Sequence, residues 1–285
     1  MNRRDCMKTV VAGALASGNA AAAKKLNVRI GSMAGSLPQG SPQEVFAAGK
    51  RVGLQGIEFN IGREPVDGNL PLFNADTQRT YLDAAKANGM AIAGVVLDVF
   101  HRHYLKNDPV AVTFIDRGIQ TARAMNAGVL LLPFFGKAAM TNREEMGYVA
   151  DIVKEHARTA QKAGVVLGLE DTISAEDNAW MLDRIGSPAV KVYYDIGNST
   201  NNGFNTPKEI RWLGGKRICQ MHIKDRGYLG ESGKIDIAEN LRAIRDAGFD
   251  GWLNFETSSP TKDKEADLKI NFAYLKKTIA TVEAS

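Results

Sequence analysis

The sequence predicts a single-domain α/β fold, a (β/α)8 TIM barrel, and three observations predict it. Eight short apolar runs recur along the chain, their starts roughly 25 to 40 residues apart, the spacing a strand–loop–helix–loop unit needs. The runs are apolar at consecutive positions, as parallel strands covered on both faces are. Four segments end alike, helix then glycine then strand, at Val52-Gly53, Asn88-Gly89, Ala163-Gly164 and Ala247-Gly248. That repeated stop signal marks repeated βα units.

Residues 1–23 precede the first unit and read as an export signal. Arg3, Arg4 and Lys8 give a basic start, Thr9–Ala16 is mildly apolar, and Ala21-Ala22-Ala23 offers the small residues a signal peptidase accepts. The apolar part is too short to span a bilayer, which takes roughly 20 apolar residues. The Arg3-Arg4 pair resembles the twin-arginine class of signal, so a periplasmic or secreted location is expected. Residues 24–285 then form the barrel, close to the length of about 250 residues such a fold takes.

The eight strands are predicted at Val28–Gly31, Gly56–Asn60, Ala91–Leu97, Val129–Phe134, Val165–Glu170, Val190–Asp195, Ile218–Ile223 and Trp252–Glu256. Between them, Ser41-Pro42-Gln43-Glu44 starts a helix with a polar cap and an early proline. Asp76–Asn88 and Arg143–Ala163 run to Gly89 and Gly164. Thr206-Pro207 opens another helix, and Ile237–Ala247 runs to Gly248. No linker interrupts these units. The turn after the first strand, Gly31-Ser32-Met33-Ala34-Gly35-Ser36, lacks a G-x-G-x-x-G phosphate loop, so near-equal units favour closure into a barrel over an open sheet.

Charge and cysteines exclude some classes. The chain carries a formal +4, of which residues 1–23 hold about half, too little to point to nucleic acid or to an anionic membrane surface. Of two cysteines, Cys6 lies in the export segment and Cys219 is alone. The barrel therefore has no internal disulfide and rests on its core.

The sharpest functional signal is in the second half. Glu170, Asp195, His222 and Glu256 each stand where an apolar run stops, 25, 27 and 34 residues apart. In a barrel those four strand ends are neighbours on the C-terminal rim, where barrel enzymes keep their sites. Three carboxylates converging there beside an imidazole repel one another unless a cation joins them. One divalent metal ion is therefore expected on these four residues. The donor set is hard, which suits Mn²⁺, Mg²⁺ or Co²⁺.

Five segments carry a family resemblance: Gly53-x-x-Gly56-Ile57-Glu58-Phe59, Gly168-Leu169-Glu170, Tyr194-Asp195-Ile196-Gly197-Asn198, His222-Ile223-Lys224-Asp225 and Phe255-Glu256. With these the chain resembles the sugar isomerase/epimerase branch of the xylose isomerase-like barrels. The resemblance spans the whole barrel and is weak as to substrate. The same barrel serves ketose epimerases, inosose dehydratases, hydroxypyruvate isomerases, endonuclease IV and enzymes acting on 3-oxo-glycosides. The endonuclease reading needs a histidine-rich trinuclear site, and four histidines in all do not supply one.

The resemblance implies that all four residues ligate the metal, and that Glu170 and Glu256 also act as an acid–base pair. One carboxylate would take a proton from carbon next to a carbonyl, through a metal-stabilised enediolate. Return of the proton gives isomerisation or epimerisation; loss of a β-substituent gives elimination. A non-catalytic carbohydrate-binding barrel is the remaining alternative. Export favours an unphosphorylated sugar or glycoside as the small carbohydrate partner, and a homo-oligomer stays open.

Further candidates for substrate contact are Glu58 at the end of strand two, Glu176 six residues past Glu170, Lys224 and Arg226 after His222, and His101 with His103 after strand three. If the segment after strand three is extended, both histidines point the same way. Lys224 could instead pair with Asp225. Asn198 stands where many relatives carry a histidine; it can bind a hydroxyl but cannot carry a proton at neutral pH.

Overall fold

The computed structural model describes residues 25–285, so the export segment expected at 1–23 lies outside the described residues. Eight parallel strands close into a barrel in chain order: β1 (Asn27–Met33), β2 (Gly56–Asn60), β3 (Ala91–Val96), β4 (Val129–Phe134), β5 (Val166–Asp171), β6 (Val190–Asp195), β7 (Ile218–Ile223) and β8 (Asp250–Phe255). β8 closes on β1, with Gly31 beside Asn254 and Ser32 beside Phe255. All eight strands stand where the apolar runs predict them. The ends of β5 and β8 are shifted, so Glu170 is the penultimate residue of β5 and Glu256 lies one residue past β8.

The helices form the outer layer: α1 (Pro42–Val52), α2 (Ala75–Asn88), α3 (Pro109–Val112), α4 (Ile115–Ala124), α5 (Arg143–Ala163), α6 (Ala175–Ile185), α7 (Ile196–Asn201), α8 (Thr206–Leu213), α9 (Ile237–Asp246) and α10 (Lys264–Glu283). α1 carries a complete capping box, in which Ser41 and Glu44 satisfy each other's backbone N–H groups. The cap of α8 is Asn205, whose side chain accepts from the N–H of Lys208, and Thr206 is the first helical residue. No helix among the described residues is long and apolar enough to cross a membrane.

Alternation along β4 separates two cores. Leu130 and Leu132 belong to the large apolar layer between strands and helices. Val129 and Leu131 face the opposite way and pack with Val96 and Tyr193 in a small cluster inside the barrel. Polar side chains share that interior: Glu58, Tyr193, Gln220, His222 and Asn254 are all buried. Each has at least one hydrogen-bond partner, as most buried polar groups do. Asn254 donates to Tyr193 Oη (2.8 Å) and Gln220 Oε1 (2.9 Å), and Gln220 donates to the Ala93 carbonyl (2.6 Å).

Candidate metal and active site

Strand register brings the four predicted residues together. Asp195 pairs with His222 across β6 and β7, and His222 with Asn254 across β7 and β8. One ligand atom each from Glu170, Asp195, His222 and Glu256 lies within 4.8 Å of the other three. His222 Nδ1 is the hub: Glu170 Oε1 is at 3.0 Å, Glu256 Oε2 at 3.5 Å and Asp195 Oδ2 at 3.9 Å. Its other nitrogen, Nε2, is 2.8 Å from Glu58 Oε2. Glu58 also accepts from the Tyr193 hydroxyl at 3.1 Å. The ring is thus held from below by a carboxylate, which aims Nδ1 at the rim, the support that metal-ligating imidazoles receive.

Asp195 has two duties. Oδ1 accepts the N–H of Asn198 and caps α7. Oδ2 is buried and accepts no hydrogen bond among the described residues. A buried carboxylate oxygen without a partner is costly; here the Lys224 ammonium, 2.7 Å away, answers it, and a divalent ion would answer it in the same way. With three carboxylate oxygens and one imidazole nitrogen gathered within 4.8 Å, the residues present fit one divalent ion.

Electrostatics divide the four. Burial, aided by the Glu256 and Asp195 charges, outweighs the nearby His222 and pushes Glu170 up to about 8. Burial likewise raises Asp195, against the pull of Lys224. For His222, burial favours the neutral ring, but the Glu170 and Glu256 charges and the bonds to Glu170 and Glu58 hold its pKa well above the ordinary value. Burial acts upward on Glu256 too, yet His222 and Lys224 together hold it below the usual range.

The cluster opens into a cavity of about 810 Å³ at the C-terminal mouth of the barrel. Glu170, His222, Lys224 and Glu256 line one side; Arg63, Asp98, His101, Phe135 and Lys137 line the other. A second hollow of about 510 Å³ adjoins it, sharing Lys224, Glu256 and Ser258 and adding Asn201, Arg226 and Lys234.

The secondary candidates divide. Lys224 is in the site, with Nζ 2.7 Å from Asp195 and 2.6 Å from Glu256, and the alternative pairing with Asp225 does not occur. Asp225 instead accepts the N–H groups of Arg226 and Gly230. Glu58 lies beneath the site, on His222, and does not line the cavity. Arg226 faces the second hollow. Asn198 serves through its backbone N–H. Glu176 is exposed in the first turn of α6 and lines neither hollow.

The segment after β3 is a 3-10 turn, Asp98–His101, and not extended, so its two histidines part. His101 lines the cavity, its ring 4.8 Å from that of Phe135, and burial lowers its pKa. His103 turns away to Asp108, at 2.7 Å, and to the ring of Phe114. Sequence reasoning missed Tyr193, Gln220 and Asn254 beneath the site and Arg63, Asp98 and Lys137 around it. The interior trio stands on alternate, inward positions of its strands, a signal hidden within otherwise apolar runs.

Comparison with known proteins places this geometry. The profile of the xylose isomerase-like TIM barrel family matches residues 46–278. The chain is 25% identical over 179 residues to the 2-epi-5-epi-valiolone 7-phosphate 2-epimerase of Actinoplanes sp., a stretch covering 61% of this chain and 64% of that protein. It therefore spans under two thirds of that relative's length. Among solved structures it is similar to L-ribulose 3-epimerase, at TM-score 0.74 and 19% identity, over 90% of this chain and 96% of that one. It is also similar to the 3-keto-D-glucoside 4-epimerase of E. coli, at TM-score 0.71 and 15% identity, over 88% of this chain and 99% of that one. At these identities the likeness to the solved structures is one of fold.

Proposed function

The chain belongs to the xylose isomerase-like TIM barrel family, and from that premise we propose that it is a divalent-metal-dependent isomerase or epimerase acting on a small, unphosphorylated sugar or sugar derivative. One observation carries the reading: four metal-capable side chains converge to within 4.8 Å at successive strand ends, and three of them line a polar cavity. The relatives' names support epimerisation, since each is an epimerase; the Actinoplanes protein is named for a 7-phosphate, so the unphosphorylated substrate rests on the export segment alone.

Glu170, Asp195, His222 and Glu256 would hold the ion, with Mn²⁺, Mg²⁺ and Co²⁺ as the candidates. Such an ion supplies Lewis acidity toward a substrate carbonyl oxygen and its neighbouring hydroxyl. The residues do the rest. Glu170 and Glu256 both border the cavity, and in this reading they would take and return a carbon-bound proton. Glu256 reaches from just past β8, and Glu170 from the buried end of β5, so the two approach from different elements. His101, held near Asp98 at 3.5 Å, stands on the far wall to orient hydroxyls.

A second reading has a specific support. The adjoining 510 Å³ hollow shares Glu256 and Lys224 with the main cavity, which leaves room for a second unit attached to the reacting sugar. Elimination on a 3-oxo-glycoside would use the same pair of carboxylates, with the leaving group in that hollow.

The test is incubation of the Mn²⁺-loaded protein with ketoses and 3-oxo-glycosides in D₂O, followed by NMR. Deuterium should enter a carbon-bound position of at least one substrate. Glu170→Gln and Glu256→Gln should each slow that exchange by about 10²–10⁴-fold, the usual worth of a positioned acid or base. Released aglycone or second sugar would reject pure epimerisation in favour of the second reading. Binding without exchange would overturn both enzymatic readings and leave a carbohydrate-binding barrel. We also propose export through the Arg3-Arg4 segment; replacing both arginines by lysine should keep the protein inside the cell, and unchanged export would refute the twin-arginine route.

A further inference from the structure

Lys224 stands on the oxygens that a metal ion would use. Its Nζ is 2.7 Å from Asp195 Oδ2 and 2.6 Å from Glu256 Oε2. Those same two oxygens face His222 Nδ1, at 3.9 and 3.5 Å, beside Glu170 Oε1 at 3.0 Å. Asp195 Oδ1 already accepts the N–H of Asn198, and Oδ2 is the oxygen that faces the cluster. Nζ meets Oδ2 as a close ion pair. Glu256 Oε2 accepts a hydrogen bond from Nζ.

A divalent ion bonds carboxylate oxygen at about 2.0–2.6 Å. An ammonium and such an ion drawing on the same oxygens at these distances are close-packed like charges. The lysine also has somewhere to go. Its side chain lines both the main cavity and the adjoining hollow. The stem is anchored by packing on Gly197, where a methyl would come within 2.5 Å of Cγ and 3.2 Å of Cε. With Cγ and Cε packed there, the ammonium moves by rotation about the Cδ–Cε bond.

We propose that Lys224 is a tethered counter-ion: it competes with the divalent metal for Asp195 Oδ2 and Glu256 Oε2, and metal binding drives its ammonium off these oxygens toward the hollow. The inference rests on the reading that Glu170, Asp195, His222 and Glu256 take a metal. It adds that the protein moderates its own metal affinity. Metal entry also moves a cationic group to the border of the two hollows, beside any substrate that spans them.

Two measurements test it. The first is isothermal titration of the metal-free full chain with Mn²⁺. Lys224→Met, which removes the charge and keeps the stem, should bind Mn²⁺ about tenfold more tightly or better, while Lys224→Arg should stay nearer the wild type. Equal or weaker binding by Lys224→Met would overturn the inference and leave the metal reading standing. No binding by wild type or variant would overturn both. The second uses wild-type protein, so it stands even if a variant folds poorly. Amine acetylation of Lys224, followed by peptide mass spectrometry, should rise several-fold when Mn²⁺ replaces a chelator. Unchanged or reduced labelling would refute the displacement.

Discussion

Glu58 shows how a single residue can shape a site it never lines. It is fully buried, one oxygen receiving His222 Nε2 and the Tyr193 hydroxyl, the other accepting no hydrogen bond among the described residues. Its carboxylate decides which face of the imidazole looks at the rim. Glu58→Gln keeps the shape and removes the charge, so metal affinity should fall by about 10–100-fold, the usual loss when the outer partner of a ligating histidine is removed. Titration with Mn²⁺ reads this directly, and an unchanged affinity would show that the ring is held by packing alone. The four rim residues were legible because each ends an apolar run. The partner of His222 was not, because Glu58 lies 164 residues away in sequence and only barrel closure sets them side by side. His103 shows the opposite error. Alternation would aim it with His101, but the chain after β3 turns in a 3-10 coil and delivers it to Asp108.

At the scale of elements, the loops carrying the site are tied down by α10. Asp267, in the first turn of α10, accepts from the hydroxyls of Tyr228, Ser259 and Thr261 and from the Thr261 N–H. It thereby joins the loop after β7 to the loop after β8, the two that follow His222 and Glu256. Burial acts upward on its carboxyl, but the bonds from Ser259, Tyr228 and Thr261 win and hold it down at about 2. An unfolded aspartate titrates near 3.9, so the folded value is depressed. The stability it contributes is present above about pH 4 and is lost as pH falls toward 2. Asp267→Asn should therefore melt below wild type at pH 7, and the gap should narrow as pH drops from about 5 to 2. Scanning calorimetry at several pH values checks this, and a constant gap would assign the loss to packing. Elements with strong punctuation were the legible ones. α1 and α5 begin and end at their predicted residues, bounded by Ser41 and Gly53 and by Asn142 and Gly164. α6 carries the same kind of signal, Ser174 and Gly186. α7 was hidden because its cap is Asp195 itself, a residue whose evident role was ligation.

The whole molecule depends on one seam, where the first strand meets the last. Seven of the eight strand pairs join neighbours in sequence, while β1 and β8 meet only when the chain has come full circle. The alternation of apolar runs made a parallel sheet legible, but closure rested on counting units, since no single residue announces it. The residues that permit it are small ones opposite large ones. A methyl on Gly31 would run into Asn254 Oδ1 and approach the Gly56 carbonyl at 3.1 Å, and one on Gly56 would meet the Trp252 ring at 2.6 Å. Trp252 in turn lies under the Arg29 guanidinium, 4.3 Å from the ring centre. Asn254 is also the residue that holds Tyr193 and Gln220 in the barrel interior, so crowding at the seam reaches the layer that supports His222. Gly31→Ala should cost about 1–3 kcal/mol, as overpacking a filled interior does. For a domain of this size that lowers the melting temperature by about 2–4 °C for each kcal/mol. Gly35→Ala, with no atom within 4 Å of the added methyl, should change it little and serves as the control. Because Asn254 must shift, Gly31→Ala should also weaken Mn²⁺ binding, although Gly31 touches none of the four ligands. A Gly31→Ala melting temperature no lower than that of Gly35→Ala and wild type would show that the seam tolerates the methyl and that closure does not rest on this contact.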